Sequence, residues 1–148
     1  MKIISARIIA ATIGLGSVLA MSACNRQETP SETQEDVAEA QREGNQEVAE
    51  EAADAATVAA ENREDIVKAD DTAEVREARS DAMKDNADAR EDVADAKAKA
   101  DYDIAKQKCD GLPAGQQSAC NDAAEAAYDA AKARAEQTKD ATKDAADR

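Results

Sequence analysis

Tyr102-Asp103-Ile104-Ala105-Lys106-Gln107-Lys108-Cys109-Asp110-Gly111-Leu112-Pro113-Ala114-Gly115-Gln116-Gln117-Ser118-Ala119-Cys120 leads out of one helical stretch and into another. Gly111 is placed to end the first helix in a left-handed residue, and Pro113, two positions on, prevents its continuation. Helix is expected to resume near Gln116 and to run through Ala131. Folding the chain about this turn sets Cys109 beside Cys120. It also sets Ala105 beside Ala124, Tyr102 beside Ala127 and Ala98 beside Ala131. Small residues facing one another let two helices approach closely, with Tyr102, Ile104 and Tyr128 as the only sizeable apolar bulk. The expected fold is all-α: a long alanine-rich helix ending in an antiparallel helical hairpin stapled by two cysteines, with a flexible tether at its N-terminus.

Working back from the hairpin, the chain is built of strong helix formers. Gly44 is the last glycine before Gly111 and no proline lies between Pro30 and Pro113, so nothing interrupts 45–110. Fully helical, that stretch extends about 100 Å at about 1.5 Å per residue. Its best apolar stripe is Val75, Ala78, Ala82, Ala89, Val93, Ala100 and Ile104, joined by Ala96. The spacing alternates four and seven, an eleven-residue repeat that implies a nearly straight seam. A weaker stripe precedes it at Val37, Val48, Ala52, Ala55, Ala59 and Ile66, with Asn62 set into it. Glu64/Lys68 and Asp95/Lys99 are spaced as i,i+4 ion pairs, each contributing about 0.2–0.5 kcal/mol.

Composition restricts what such a chain can do. Of 148 residues, 38 are Ala, two are Tyr, none is Phe, Trp or His, and the formal charge is -14. Aromatic rings bury about 150–250 Å² each, so a chain this poor in them builds no thick core. The charge is uneven. Residues 25–65 hold thirteen acids and three bases, against twenty and fourteen in 66–148. The first stretch is therefore expected to be frayed or partner-dependent and the second to be the folded part.

At the other end, Lys2 and Arg7 precede an uncharged run from Ile8 to Ala23 that closes on small residues. Such a run reads as a secretory signal peptide, too short and too rich in Gly14 and Gly16 to span a membrane. Met21-Ser22-Ala23-Cys24 resembles the lipobox of bacterial lipoproteins, with Met in place of the usual Leu. The resemblance implies a diacylglycerol on Cys24, cleavage before it, and attachment to a lipid bilayer. Asn25, by the same resemblance, implies passage to the outer membrane with the body facing the periplasm. The polar run after it, with Pro30 and no periodicity, reads as a tether. Export leads to an oxidising compartment, so a Cys109–Cys120 disulfide is expected, with Cys24 as the odd cysteine. Closing a loop of this length contributes roughly 3 kcal/mol in the chain-entropy picture. The expected organisation is a leader over 1–23, a lipidated tether over 24–35, an acidic helical or partly disordered segment over 36–66, the hairpin over 67–137 and a polar tail over 138–148.

Tyr102, Ala105, Lys106, Cys109, Asp110 and Leu112, followed by Cys120, Ala124, Ala126 and Tyr128, are similar to a two-cysteine helical module of alanine-rich exported proteobacterial proteins. The likeness covers about thirty residues, with Pro113 and Gly115 departing in the loop. It implies an exported, helical, disulfide-bonded protein and no chemistry. The tail repeats Thr-Lys-Asp-Ala at 138–141 and 142–145. With the eleven-residue stripe it is similar in composition to late-embryogenesis-abundant proteins, which implies protection against drying and osmotic stress.

No catalytic constellation is visible: there is no His, no Gly-rich phosphate loop, and no Ser or Thr arranged with a base. No metal ligand set and no cofactor are expected beyond the acyl group on Cys24, and two thiolates without His make a poor metal site. A net-acidic chain also repels nucleic acid. The leading expectation is a non-catalytic envelope lipoprotein acting as a helical spacer or in stress protection. It would associate with the bilayer and with a second copy or another helical protein. The alternative is an acidic binding module that recruits a basic periplasmic partner or cations.

Overall fold

The computed structural model describes residues 28–148, which form three helices: α1 (Pro30–Lys68), α2 (Thr72–Asp110) and α3 (Ala114–Ala146). The expected signal peptide, Cys24 and Asn25 lie outside the described residues. The fold is all-α, and Cys109 and Cys120 are joined across the α2–α3 turn with their Cα atoms 5.6 Å apart. Helix α2 packs against both neighbours, whereas α1 and α3 hardly meet. Opposed residues run in reverse order on both sides: Thr33 meets Gly111 and Gly44 meets Ala100, while Tyr102 meets Tyr128 and Glu91 meets Lys139. The result is an antiparallel row with α2 in the middle.

The 45–110 stretch is not one helix. It breaks at Ala69, Asp70 and Asp71, and α1 folds back along α2. Helix propensity alone does not foresee this, because Asp competes for backbone donors and favours the cap. The Asp71 carboxylate accepts from the amides of Ala73 and Glu74 at 2.7 and 2.9 Å, and the Asp70 amide donates to Glu74 at 2.9 Å. Folding back also covers the stripe of α2 that would otherwise lie bare.

Helix begins at Pro30 and so takes in the last six residues that the sequence assigns to a flexible tether. Thr29 accepts from the Glu32 amide while Glu32 reaches back to the Thr29 amide at 2.8 Å, and proline at the first helical position completes the start. The acidic 36–66 segment is helical throughout. The polar tail over 138–148 is docked helix for most of its length. Helix α3 continues to Ala146, whose carbonyl accepts from the Ser80 hydroxyl at 3.1 Å, and Lys84 pairs with Asp147 at 2.6 Å.

Gly111 does end α2, but not in a left-handed conformation: its φ is -72°. A glycine is needed there for space, because a Cβ would stand 2.6 Å from the Thr33 side chain. The stop comes from Pro113 and from Gln117, whose amide donates to the carbonyls of Asp110 and Leu112 at 2.8 and 3.0 Å. Helix then resumes at Ala114, two residues earlier than expected.

The buried apolar set is thin: Ala82, Ala87, Ala96, Ala98, Ala100, Cys109 and Ala124. Alanine gives up no rotamer freedom on burial, so close backbone approach compensates for small buried area. Six of these seven residues are on α2, and they belong to two stripes. One is the predicted seam; the other runs Ala87, Ala94, Ala98, Ala105 and Cys109, again with seven and four spacing. At about 100° per residue the stripes stand about 140° apart on the helix. That angle sets α1 and α3 on nearly opposite sides.

Candidate functional site

Two flanks of α2 remain uncovered, and they differ in charge. On one, Glu74, Glu77, Asp81, Asp85 and Asp92 follow one another, with Asp88 and Asp95 at its edge, where Lys143 and Lys132 of α3 pair with them, and Asp103 and Asp110 continue the row. On the other lie Arg76, Arg79, Arg90 and Lys97. Helix α1 borders the acidic flank with its own row. Asp36, Glu39, Glu43 and Glu47 share one furrow with Asp103 and Asp110. Glu47 and Glu51 share the next depression with Asp92 and Asp95. At the far end Asp65 and Asn62 meet Glu74, Glu77, Asp81 and Asp85. Lys99 and Lys106 are the bases among the residues lining these three depressions.

Asn62, set into an apolar stripe in the sequence, is 9% exposed, and its side-chain nitrogen has no hydrogen-bond partner. Asp81 and Asp85 enter no ion pair within 4 Å among the described residues.

On the α2–α3 side the charges are paired instead. Lys132 reaches Asp95 at 3.6 Å, Lys139 reaches Glu91 at 2.7 Å and Lys143 reaches Asp88 at 2.6 Å. Hydrogen bonding to Glu91 holds Lys139 above the ordinary lysine value. Lys99, which bridges Glu47 at 3.1 Å and Asp103 at 3.2 Å, is raised by those two hydrogen bonds. Asp147 raises Lys84 through its hydrogen bond, and the charge of Asp95 raises Lys132. Glu64/Lys68 pair as spaced, at 2.7 Å. Asp95 and Lys99 do not; each turns to a neighbouring helix instead.

In the hairpin Tyr102 stacks on Tyr128, one residue beyond the predicted Ala127, with ring centroids 5.3 Å apart. Lys106 and Lys132 each cover one of these rings at 5.6 Å. Ala124 is buried and Ala105 half-buried. Of the predicted seam, Ala82, Ala96 and Ala100 are buried and Val75, Ala78, Ala89, Val93 and Ile104 half-buried. In the weaker stripe Ala52 is exposed, while Val37, Val48, Ala55, Ala59 and Ile66 are half-buried. The opposed acid rows and the bracing Gln117 are not in the sequence reading, although the three-and-four spacing of the α2 acids is visible there.

No helix among the described residues is long and apolar enough to cross a membrane, and no group of three acidic or cysteine side chains among them forms a metal-holding cluster. No family of known proteins, curated protein or solved structure matches the chain.

Proposed function

We propose that this chain is a non-catalytic lipoprotein of the cell envelope, anchored through an acylated Cys24 and acting as a helical spacer. The observation that supports this reading is the shape. Three helices lie side by side, the central one of 39 residues, with both turns tied down. At about 1.5 Å per residue the central helix is about 58 Å long. A row of this kind holds a fixed length. Acyl chains contribute about 0.8 kcal/mol per buried CH₂, so more than one on a single residue makes a firm anchor. Asn25 supports the outer membrane, with the body in the periplasm.

The test is the intact mass of the protein purified from its own membranes, before and after reduction. A chain beginning at Cys24 with an added diacylglycerol is the expected result. An unlipidated mass overturns the anchored spacer and favours the stress-protective reading. A second reading, an acidic module that recruits a basic partner, is favoured by the facing acid rows of α1 and α2.

A further inference from the structure

We infer that the face of the row opposite the acidic one rests flat on the anionic surface of the bilayer that holds the acyl anchor. This depends on the lipoprotein reading and gives the spacer its direction, along the bilayer and not away from it.

Charge in this protein is sorted by face. On the side away from the acid rows, a groove between α2 and α3 is floored by Ala87, Ala94, Ala98, Ala131 and Ala135 and rimmed by Arg90, Lys97 and Arg134. Arg76 and Arg79 continue the same flank along α2. The adjoining side of α1 reads Gln34, Ala38, Asn45, Ala52, Ala56 and Arg63, and that of α3 reads Ala123, Ala127, Ala130, Arg134 and Ala141, all exposed. At about 100° per residue no acid of α1 or α3 falls on these sides. On α2 Asp101 alone does, and it is paired with Lys97 at 2.7 Å. The arginines of this face enter no ion pair within 4 Å among the described residues. A chain with 33 acids and 19 bases, placed evenly, would put carboxylates on every side; this side is spared them and stays positive.

Three observations select a bilayer surface. First, the cations are spread and not converged: from Arg76 to Lys108 the flank runs about 48 Å along α2, which suits a plane of headgroups better than a single anion. Second, Val67 and Met83, the exposed large apolar side chains among the described residues, are both on this face, Val67 four residues on from Arg63 and Met83 four on from Arg79. Apolar side chains set among cations enter the headgroup boundary of a membrane. Third, the two attachments are at opposite ends. Cys24 is six residues before Pro30, at most about 22 Å of extended chain, and the start of α1 lies beside the end of α2, where Thr33 meets Gly111. Val67, Met83, Arg76 and Arg79 are at the other end, so a row held at both lies flat. The net charge of -14 does not forbid this. The carboxylates stand about one helix diameter, about 10 Å, further from the headgroups, beyond the Debye length of about 8 Å, so the near face governs. The acidic face of a second copy is the other complement the chain offers, but its carboxylates outnumber these cations and stacking would bury charge unpaired.

The test uses the acylated protein in vesicles of phosphatidylcholine with about 30 mol% phosphatidylglycerol. The chain has no Trp, so Met83→Trp and Asp81→Trp each place one reporter on α2, two residues apart and on opposite sides. Brominated acyl chains should quench Met83→Trp at least about threefold more than Asp81→Trp. Adding Arg76→Gln/Arg79→Gln/Arg90→Gln to the Met83→Trp protein should cut that margin at least about twofold. Equal quenching at the two positions overturns the flat face and leaves the anchor standing. So does a margin as large in phosphatidylcholine alone, or a blue-shifted Met83→Trp emission without quenching, which stacking of copies would produce. Protein that fails to float with the vesicles overturns the anchored reading and this inference together.

Discussion

Gly44 and Ala100 mark a close approach of α1 to α2: a Cβ on Gly44 would stand 2.5 Å from the Ala100 Cβ and 3.2 Å from its Cα. Gly44 is buried in mid-helix, where glycine costs about 1 kcal/mol against alanine. The helix accepts that cost because neither atom it would strike is the movable end of a side chain. One ion pair, Glu47–Lys99, ties α1 to α2 among the described residues, so close packing of small residues carries most of this interface.

Replacing Gly44 by Ala is therefore expected to destabilise α1 docking by about 1–3 kcal/mol, the range for overpacking, despite the gain in helix propensity. Ala100→Gly in the same chain should restore part of that loss, a coupling that a double-mutant cycle in urea measures. Gly115→Ala is the control. Nothing lies within 4 Å of a Cβ there, and the change should stabilise by about 0.4–1 kcal/mol. A Gly44→Ala protein as stable as the parent would remove the close approach from the account.

The Cys109–Cys120 bond closes a loop of eleven residues' separation. Reduction, or Cys120→Ser, should cost about 3 kcal/mol, read as a fall in the urea midpoint. The loss should be concentrated in α3, followed by hydrogen exchange of its amides, because α1 meets α2 on the other side. Uniform loss of protection across all three helices would mean that the row unfolds as one unit.

Much of the hairpin was legible because its signals are local. Cysteine spacing, Pro113 and the Gly111 position give a turn and a register, and Tyr102 missed its predicted neighbour by one residue. What was not legible depends on distant partners. Gly111 is glycine because Thr33, far away in sequence, lies over it. The Asp70-Asp71 break reads as ordinary acidic helix until α1 has somewhere to fold back to. The tail from Thr138 is polar in isolation and becomes docked helix only because Lys139 and Lys143 meet Glu91 and Asp88. Of the second stripe on α2, Ala98, Ala105 and Cys109 follow from the register of the hairpin, whereas Ala87 and Ala94 lie beyond the reach of that local signal.

Tyr102 and Tyr128 are the only aromatic side chains in the protein, so their stacking should dominate the near-ultraviolet circular dichroism. Tyr128→Ala removes the ring that Tyr102 and Lys132 both touch and should cost about 2 kcal/mol, below the range for a fully buried ring because both are half-exposed. Tyr128→Phe should keep most of the stability, since the contact with Tyr102 is ring against ring and the hydroxyl meets only Lys132. If both substitutions cost the same, it is the hydroxyl and not the ring stacking that matters.

Lys139–Glu91 is the least exposed of the inter-helix ion pairs, its side chains 21% and 20% exposed. The hydrogen bond to Glu91 raises the Lys139 pKa above its ordinary value. A raised folded-state pKa means that the pair's contribution is fully present below the unfolded value, near pH 10.4, and is lost as pH climbs through the folded value. The stability difference between the parent and Lys139→Met should therefore be constant at about pH 8–9 and should shrink by about pH 11.5. Arginine stays charged throughout that window, so Lys139→Arg should keep its margin over Lys139→Met at the higher pH. Urea midpoints of the three proteins at both pH values decide the matter. A Lys139→Met difference that does not change with pH would show that its stem packing against α2, and not its charge, holds the end of α3 in place.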